Sequence, residues 1–299
     1  MPTTAVAGWV FTHFPLRMHA MSLPILQVRH DRSDADLVRL FHRTDTAWLQ
    51  HVAEGEPLDV GTAYANPALP GVWNANNVRD AALPPGMTPA DAVGAVDAHY
   101  ARLGAACAYW IMNPSADPAQ TRPLAEHLLA AGHRARLDDI LYLRRGGHRS
   151  VPDAGGVTII PARASYRHAR ALAGQRYRER WPASASQLVE ADILHVDDPH
   201  TDTLLALRDD RPVATISVLA VGDLGQIENV YVAPDVRRQG IGQRMMARAL
   251  EVCARSIFRH VFILVDPANA PAQLLYRSFG FERVGQLTSY CAPALYRAE

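Results

Sequence analysis

Apolar side chains recur along this chain with two alternating periods, and the switches between them lay out its elements. Ile25 to Arg29 reads as a strand. After it, Ser33 stands as an N-cap with Asp36 three residues on, and Leu37, Leu40, Phe41, Ala47, Trp48 and Val52 fall at helical spacing, predicting a long amphipathic helix. From Pro57 to Pro89 the chain is rich in Pro, Gly and Asn, with one strand-like run near Val72 to Val78. Thr88-Pro89-Ala90-Asp91 opens a helix through Leu103, Ala105 to Met112 reads as a buried strand, and Asp117 to Ala131 as a helix stopped by Gly132. A strand at Asp139 to Leu143 precedes RRGGHRSVPDAGG, whose glycines, proline and charges read as a linker near residue 150.

Beyond the linker the pattern predicts a strand (Val157 to Ile160), a helix (Ala164 to Arg180), a strand (Thr203 to Leu207), a turn at Asp209-Asp210, and strands Val213 to Ala220 and Gln226 to Val232. A helix (Gly240 to Arg255), a strand (Val261 to Val265), a helix (Pro271 to Ser278) and a strand from Glu282 follow. The fold class is α/β, or α+β, with a mixed and mostly antiparallel sheet flanked by helices. The two halves echo one another: HLLAAGHR near residue 130 matches LLYRSFGFER near residue 278. We therefore expect a tail over residues 1–20 and two related domains, 21–150 and 151–299.

A length of 299 residues with 48% hydrophobic composition supplies the core these elements need. The 30 basic and 30 acidic side chains cancel, which disfavours nucleic acid or an anionic membrane as partner. Cys107, Cys253 and Cys291 lie far apart without a CxxC pair, pointing to a reducing, cytoplasmic setting and away from disulfides or a metal site. No apolar run approaches the roughly 20 residues a bilayer span requires. Residues 1–20 lack the basic start of a signal peptide.

The chemistry concentrates in VYVAPDVRRQGIG, where a strand ending at Val230, Tyr231 and Val232 leads through a basic, glycine-containing turn into a helix. Gly240 and Gly242 let the backbone approach a phosphate, the open amides of the helix start point at it, and Arg237 and Arg238 favour its charge. Such a turn is also an ordinary solvated feature. A second motif shifts the balance: Asn269, Ala272, Leu275 and Tyr276 precede Phe279-Gly280-Phe281 at spacings that set Asn269, Ala272 and Tyr276 near one side of a short helix.

Together the motifs resemble the signature of the GNAT superfamily of acyl-coenzyme A N-acyltransferases, an R/Q-x-x-G-x-G/A loop followed by N-x-x-A-x-x-L-Y and G-F. Arg237, Gly240 and Gly242 fill the first pattern, and Asn269, Ala272, Leu275, Tyr276, Gly280 and Phe281 the second. The resemblance covers about residues 155–299 and implies acetyl-coenzyme A as cosubstrate. It places pantetheine beside Val230, Tyr231 and Val232, the pyrophosphate on the amides of Arg238, Gln239, Gly240, Ile241, Gly242 and Gln243, and Asn269 against the pantetheine arm. A strand N–H near Val230 would polarise the acyl carbonyl.

Tyr276 is then the candidate general acid for the departing thiolate, the alternative being a core tyrosine. Glu228 is the candidate general base, since alternation puts it on the face of Val230 and Val232; a structural ion pair is the competing reading. Glu190, Asp192 and His195 lie in a segment that could line the acceptor side, but among thirteen histidines His195 is given no role. In the N-terminal half, Pro84, Pro85, Gly86 and Pro89 stand where the cradle belongs, and proline has no amide to offer. Aligning Gly132 with Gly280 puts Leu128 opposite Tyr276, so this half reads as a degenerate GNAT-like domain without coenzyme or acid.

The expected activity is acetyl transfer from acetyl-coenzyme A to a primary amine of a small molecule, by direct attack in a ternary complex. A protein lysine or N-terminus as acceptor, and a non-catalytic acyl-coenzyme A sensor, stay open. So do the acyl chain length and the choice between monomer and homodimer.

Overall fold

The computed structural model describes residues 32–144 and 156–296; the strand expected at residues 25–29, the leading tail and most of the linker lie outside them. In chain order the elements are α1 (Asp34–Gln50), β1 (Glu54–Leu58), β2 (Gly61–Ala65), β3 (Asn77–Ala81), α2 (Pro89–Arg102), β4 (Tyr109–Met112), α3 (Pro118–Ala130) and β5 (Arg134–Leu143). There follow β6 (Val157–Pro161), α4 (Tyr166–Arg180), α5 (Ala185–Asp197), β7 (Thr201–Arg208), β8 (Arg211–Val221), β9 (Leu224–Val232), α6 (Ile241–Arg255), β10 (His260–Val265), α7 (Ala270–Ser278) and β11 (Phe281–Cys291). Capping boxes at Ser33, Thr88 and Asp117 start α1, α2 and α3, each satisfying amides that a helix leaves open.

All eleven strands form one sheet in the order β1-β2-β3-β4-β11-β5-β10-β9-β8-β7-β6. Its pairs are antiparallel except β3 with β4 and β9 with β10. The sheet is thus mixed and mostly antiparallel, as the pattern predicts. Register sorts the side chains onto two faces. Leu37 and Phe41 of α1 pack with Ile140, Tyr142 and Phe262 on one face, which α4 and α5 also cover. Leu141, Ile227 and Ile263 pack beneath α6 and α7 on the other, and Trp110 extends that face under α2 and α3.

The two halves interlock through their last strands. β11 of the C-terminal half sits between β4 and β5, pairing with β5 from Phe281↔Leu143 to Cys291↔Arg134. β5 of the N-terminal half sits between β11 and β10. Each half therefore completes the other's sheet. The connection α3, Gly132, β5 matches α7, Gly280, β11, and both glycines are left-handed, with φ of 88° and 92°.

Four stretches differ from the sequence reading. A hairpin, β1 with β2, occupies the Pro-rich region; Pro57 is accommodated because β1 is an edge strand, where a missing N–H costs least. The run Val72 to Val78 begins as a 3-10 turn, Trp73–Ala75, and becomes a strand only at Asn77, while Ala105 to Ala108 lies outside β4. The helix α5 was not foreseen. It buries Ala185, Leu188 and Ala191 toward one cluster and Ile193 and Val196 toward another, so its sequence carries no single apolar stripe.

Candidate active site

β9 and β10 run parallel from Leu224 and His260 only as far as Ile227↔Ile263. Beyond this point β10 stays with β5, through Leu264↔Ile140 and Val265↔Asp139, while β9 stays with β8 to Val232↔Ala214. The backbone from Glu228 to Val232 therefore borders a gap in the sheet. The other parallel pair, β3 with β4, holds together to Ala81↔Met112, and the Asn113 amide donates to the Ala81 carbonyl at 3.0 Å, so the N-terminal half has no such opening.

On the α6 side, Arg238 and Gly240 both adopt left-handed conformations, with φ of 63° and 81°, and Gly240 is the N-cap of α6. No side chain caps this helix and no acid lies in its first turn, so the amides at Ile241, Gly242 and Gln243 are open toward an anion. Ile241 is buried, leaving its backbone as its contribution. Gly242 packs close under Leu275 and Val232. Gln239 Oε1 accepts from Arg208 at 2.7 Å, and Arg237 turns back to donate Nε to the Val232 carbonyl at 3.0 Å. These residues fit a pyrophosphate. Asn269 is the N-cap of α7, its Oδ1 accepting from the Ala272 amide at 3.3 Å beside the gap.

A bulge decides where Glu228 points. Ser217 pairs with Glu228 but Thr215 pairs with Tyr231, so Asn229 and Val230 together oppose Ile216, and Asn229 takes a φ of 53°. The extra residue inverts the alternation. Glu228 does not share the face of Val230 and Val232, as unbroken alternation predicts; it shares that of Gln226 and Tyr231, toward α1, α4 and α5. The bulge also takes one peptide unit near Val230 out of the ladder, freeing it for a ligand.

The gap opens on that face into a cleft of about 1070 Å³ walled by both halves. Burial, foremost, and the Asp45 carboxylate push the Glu228 carboxyl up to about 7, against the Gln226 amide, which donates to Oε1 at 2.5 Å, and Arg176. Tyr276, 5% exposed, reaches the cleft from α7; burial and then Glu228 raise its phenol, which stays protonated at neutral pH. Beside Glu228, the Asp192 carboxylate accepts from the Tyr177 hydroxyl at 2.9 Å and from Asn229 Nδ2 at 3.3 Å. Burial raises Asp192 as well.

His195 stacks on Trp48 with ring centroids 3.5 Å apart, and burial lowers its pKa to about 3, so it is neutral. Two side chains the sequence reading did not single out also line the cleft: Arg79, bonded to Asp45, and Arg176. Cys253 is a core residue whose thiol burial pushes up to about 12, which removes it as a nucleophile. Among the described residues no cluster of metal-ligating side chains occurs, and no helix is long and apolar enough to cross a membrane.

A sheet parted beside an uncapped, glycine-led helix agrees with the layout that the resemblance to GNAT acyltransferases implies. Residues 166–281 match the family model Acetyltransferase (GNAT) family, so this part of the chain is a GNAT acetyltransferase domain. Over 95 residues the chain is 28% identical to a Bacillus subtilis (strain 168) protein assigned as a ribosomal protein bS18-alanine N-acetyltransferase; the match covers 32% of this chain and 63% of that relative, less than two thirds of its length. Two solved structures share the fold across both halves. A GCN5-related N-acetyltransferase from Kribbella flavida is 19% identical, with 85% of this chain and 95% of that one covered at a TM-score of 0.59. A conserved protein of unknown function from Staphylococcus epidermidis ATCC 12228 is 15% identical, with 79% and 92% covered at 0.56.

Proposed function

We propose that this protein transfers the acetyl group of acetyl-coenzyme A to a primary amine of a small molecule by direct attack in a ternary complex. The observation that carries this reading is the gap between β9 and β10, which joins the open amides of α6 on one face of the sheet to the two-walled cleft on the other. In it, the amides from Arg238 to Gln243 hold the pyrophosphate, with charge from Arg237 and Arg238, while Val230, Tyr231, Val232 and Asn269 border the pantetheine arm. Glu228, on the acceptor face, takes a proton from the ammonium and frees the lone pair that attacks the thioester carbonyl. The amide near Val230 steadies the oxyanion, the carbon–sulfur bond breaks, and Tyr276 gives its proton to the thiolate. We read the N-terminal half as a second, degenerate GNAT-like domain, divided from the first near residue 150, whose closed β3–β4 pair leaves it the role of an acceptor wall.

A protein N-terminus as acceptor is the second reading, favoured by the name of the Bacillus relative. Calorimetric titration with acetyl-coenzyme A, followed by thiol release against a panel of amines and N-terminal peptides, separates the two. Binding with release for small amines supports the first reading, and release for peptides alone supports the second. Binding without any release leaves a sensor, and absence of binding overturns the account.

A further inference from the structure

Five arginines line this cleft, Arg79, Arg134, Arg136, Arg176 and Arg180, and the charges of three of them are met in different ways. Arg79 is buried against Asp45, and Arg136 pairs with Asp138 at 3.0 Å. Arg176 has no such partner: among the described residues its one hydrogen bond is a long one, Nη1 to Asn229 Oδ1 at 3.4 Å, and it forms no ion pair with a carboxylate. Its guanidinium is instead flanked by the rings of Tyr177 and Tyr231, at 5.0 and 5.6 Å from their centroids. Its remaining N–H donors open into the cleft, where they are available to a ligand.

Its surroundings say which ligand. Asn229, held in the left-handed bulge, accepts from Arg176 through Oδ1 and donates to Asp192 through Nδ2. One amide thus bridges a cation and an anion that also attract one another across it, Asp192 and Glu228 favouring the charge of Arg176. Glu228 adjoins Asn229 on the same strand and opens into the same cleft. A fixed positive group beside two carboxylates is the complement of a zwitterion. Trp73 from the N-terminal half and Trp181 from the C-terminal half meet across the cleft with centroids 4.8 Å apart, and the Gly71 amide donates to Gln187 at 2.8 Å, closing one wall over an apolar substituent.

We infer that the acceptor is a free aminocarboxylate, an amino acid with an apolar or aromatic side chain, whose carboxylate binds Arg176 while its ammonium faces Glu228 and Asp192. This rests on the transferase reading above and narrows it, because a peptide N-terminus, an amino-acid amide and a polyamine all lack the carboxylate beside the amine. The guanidinium and carboxylate form the kind of paired, charge-assisted contact that planar geometry favours.

The test is a matched series, L-phenylalanine, L-phenylalaninamide and phenethylamine, assayed by thiol release on the full chain with acetyl-coenzyme A. We expect kcat/KM for the free acid to exceed that of both analogues by roughly 100-fold or more, as for a site whose buried polar group an analogue leaves unpaired. In Arg176→Ala and Arg176→Gln that ratio should collapse toward one. Equal turnover of all three by the unmodified enzyme, which needs no variant to fold, overturns the inference while leaving the transferase reading intact. So does a ratio unchanged in both variants. Calorimetric binding of L-phenylalanine to the enzyme loaded with coenzyme A gives an independent readout. Binding that requires Arg176 without any release for any amine supports the ligand class and overturns the transferase reading instead.

Discussion

Replacing Glu228 by glutamine removes a carboxyl that burial, and after it the Asp45 carboxylate, raises from an ordinary 4.5 to about 7. With a pKa of about 7, about a tenth of the enzyme holds the base form at pH 6 and about nine tenths at pH 8, so kcat/KM should climb roughly tenfold between them and then level. Glu228→Gln should lose that limb and fall by ~10²–10⁴-fold at pH 8, the span a positioned base commonly supplies. The same shift acts on stability. Because the folded pKa lies above the unfolded one, the folded chain keeps a proton that the unfolded chain has released between pH 4.5 and about 7. The contribution is complete below pH 4.5 and is lost as pH rises through about 7. A shift of this size corresponds to about 3 kcal/mol, reduced to on the order of 2 kcal/mol for a side chain that is partly exposed. Urea titrations at pH 5 and pH 8 should therefore show the unmodified protein losing about that much more stability than Glu228→Gln over the interval. A variant that keeps the rising limb, or that loses as much stability as its parent, would refute the reasoning.

Tyr276→Phe should lower kcat by about 10- to 100-fold with the dissociation constant of acetyl-coenzyme A nearly unchanged, as expected where an acid acts only in the transition state; equal loss of both would remove the acid role. Gly240→Asp places a charged side chain at a φ of 81° on the open helix start and should abolish coenzyme binding in calorimetry, whereas a dissociation constant like the parent's would sink the cradle. The interlocked strands predict that both halves unfold together. Ile140→Ala, in β5 and fully buried, should cost about 2–5 kcal/mol and shift a single calorimetric transition. Two separable transitions, only one of them moved, would contradict that coupling.

Much of the layout was legible because its signals are local. Ser33 with Asp36 marks the start of α1, Thr88 with Pro89 that of α2, and Gly132 the end of α3, each by satisfying or freeing amides within one turn of chain. The open start of α6 was legible for the same reason, since Arg238, Gly240 and the first turn of the helix lie within a few residues. The hairpin of β1 and β2 was hidden, because Pro57 is a strand residue only if its strand is an edge, which no local pattern reveals. α5 was hidden because its two apolar faces answer to two clusters.

The sequence by itself determined the elements of the C-terminal half other than α5, the glycine-led turn before α6 and the place of Tyr276 on α7, all of which rest on short-range spacing. Tertiary structure alone decided that each half lends its last strand to the other, that β9 leaves β10 at Ile227, and that the Asn229 bulge turns Glu228 toward the acceptor cleft. Strand partners and bulges are set by cross-strand register, which depends on residues far apart in the chain, so a period of two along one strand cannot say where that period breaks.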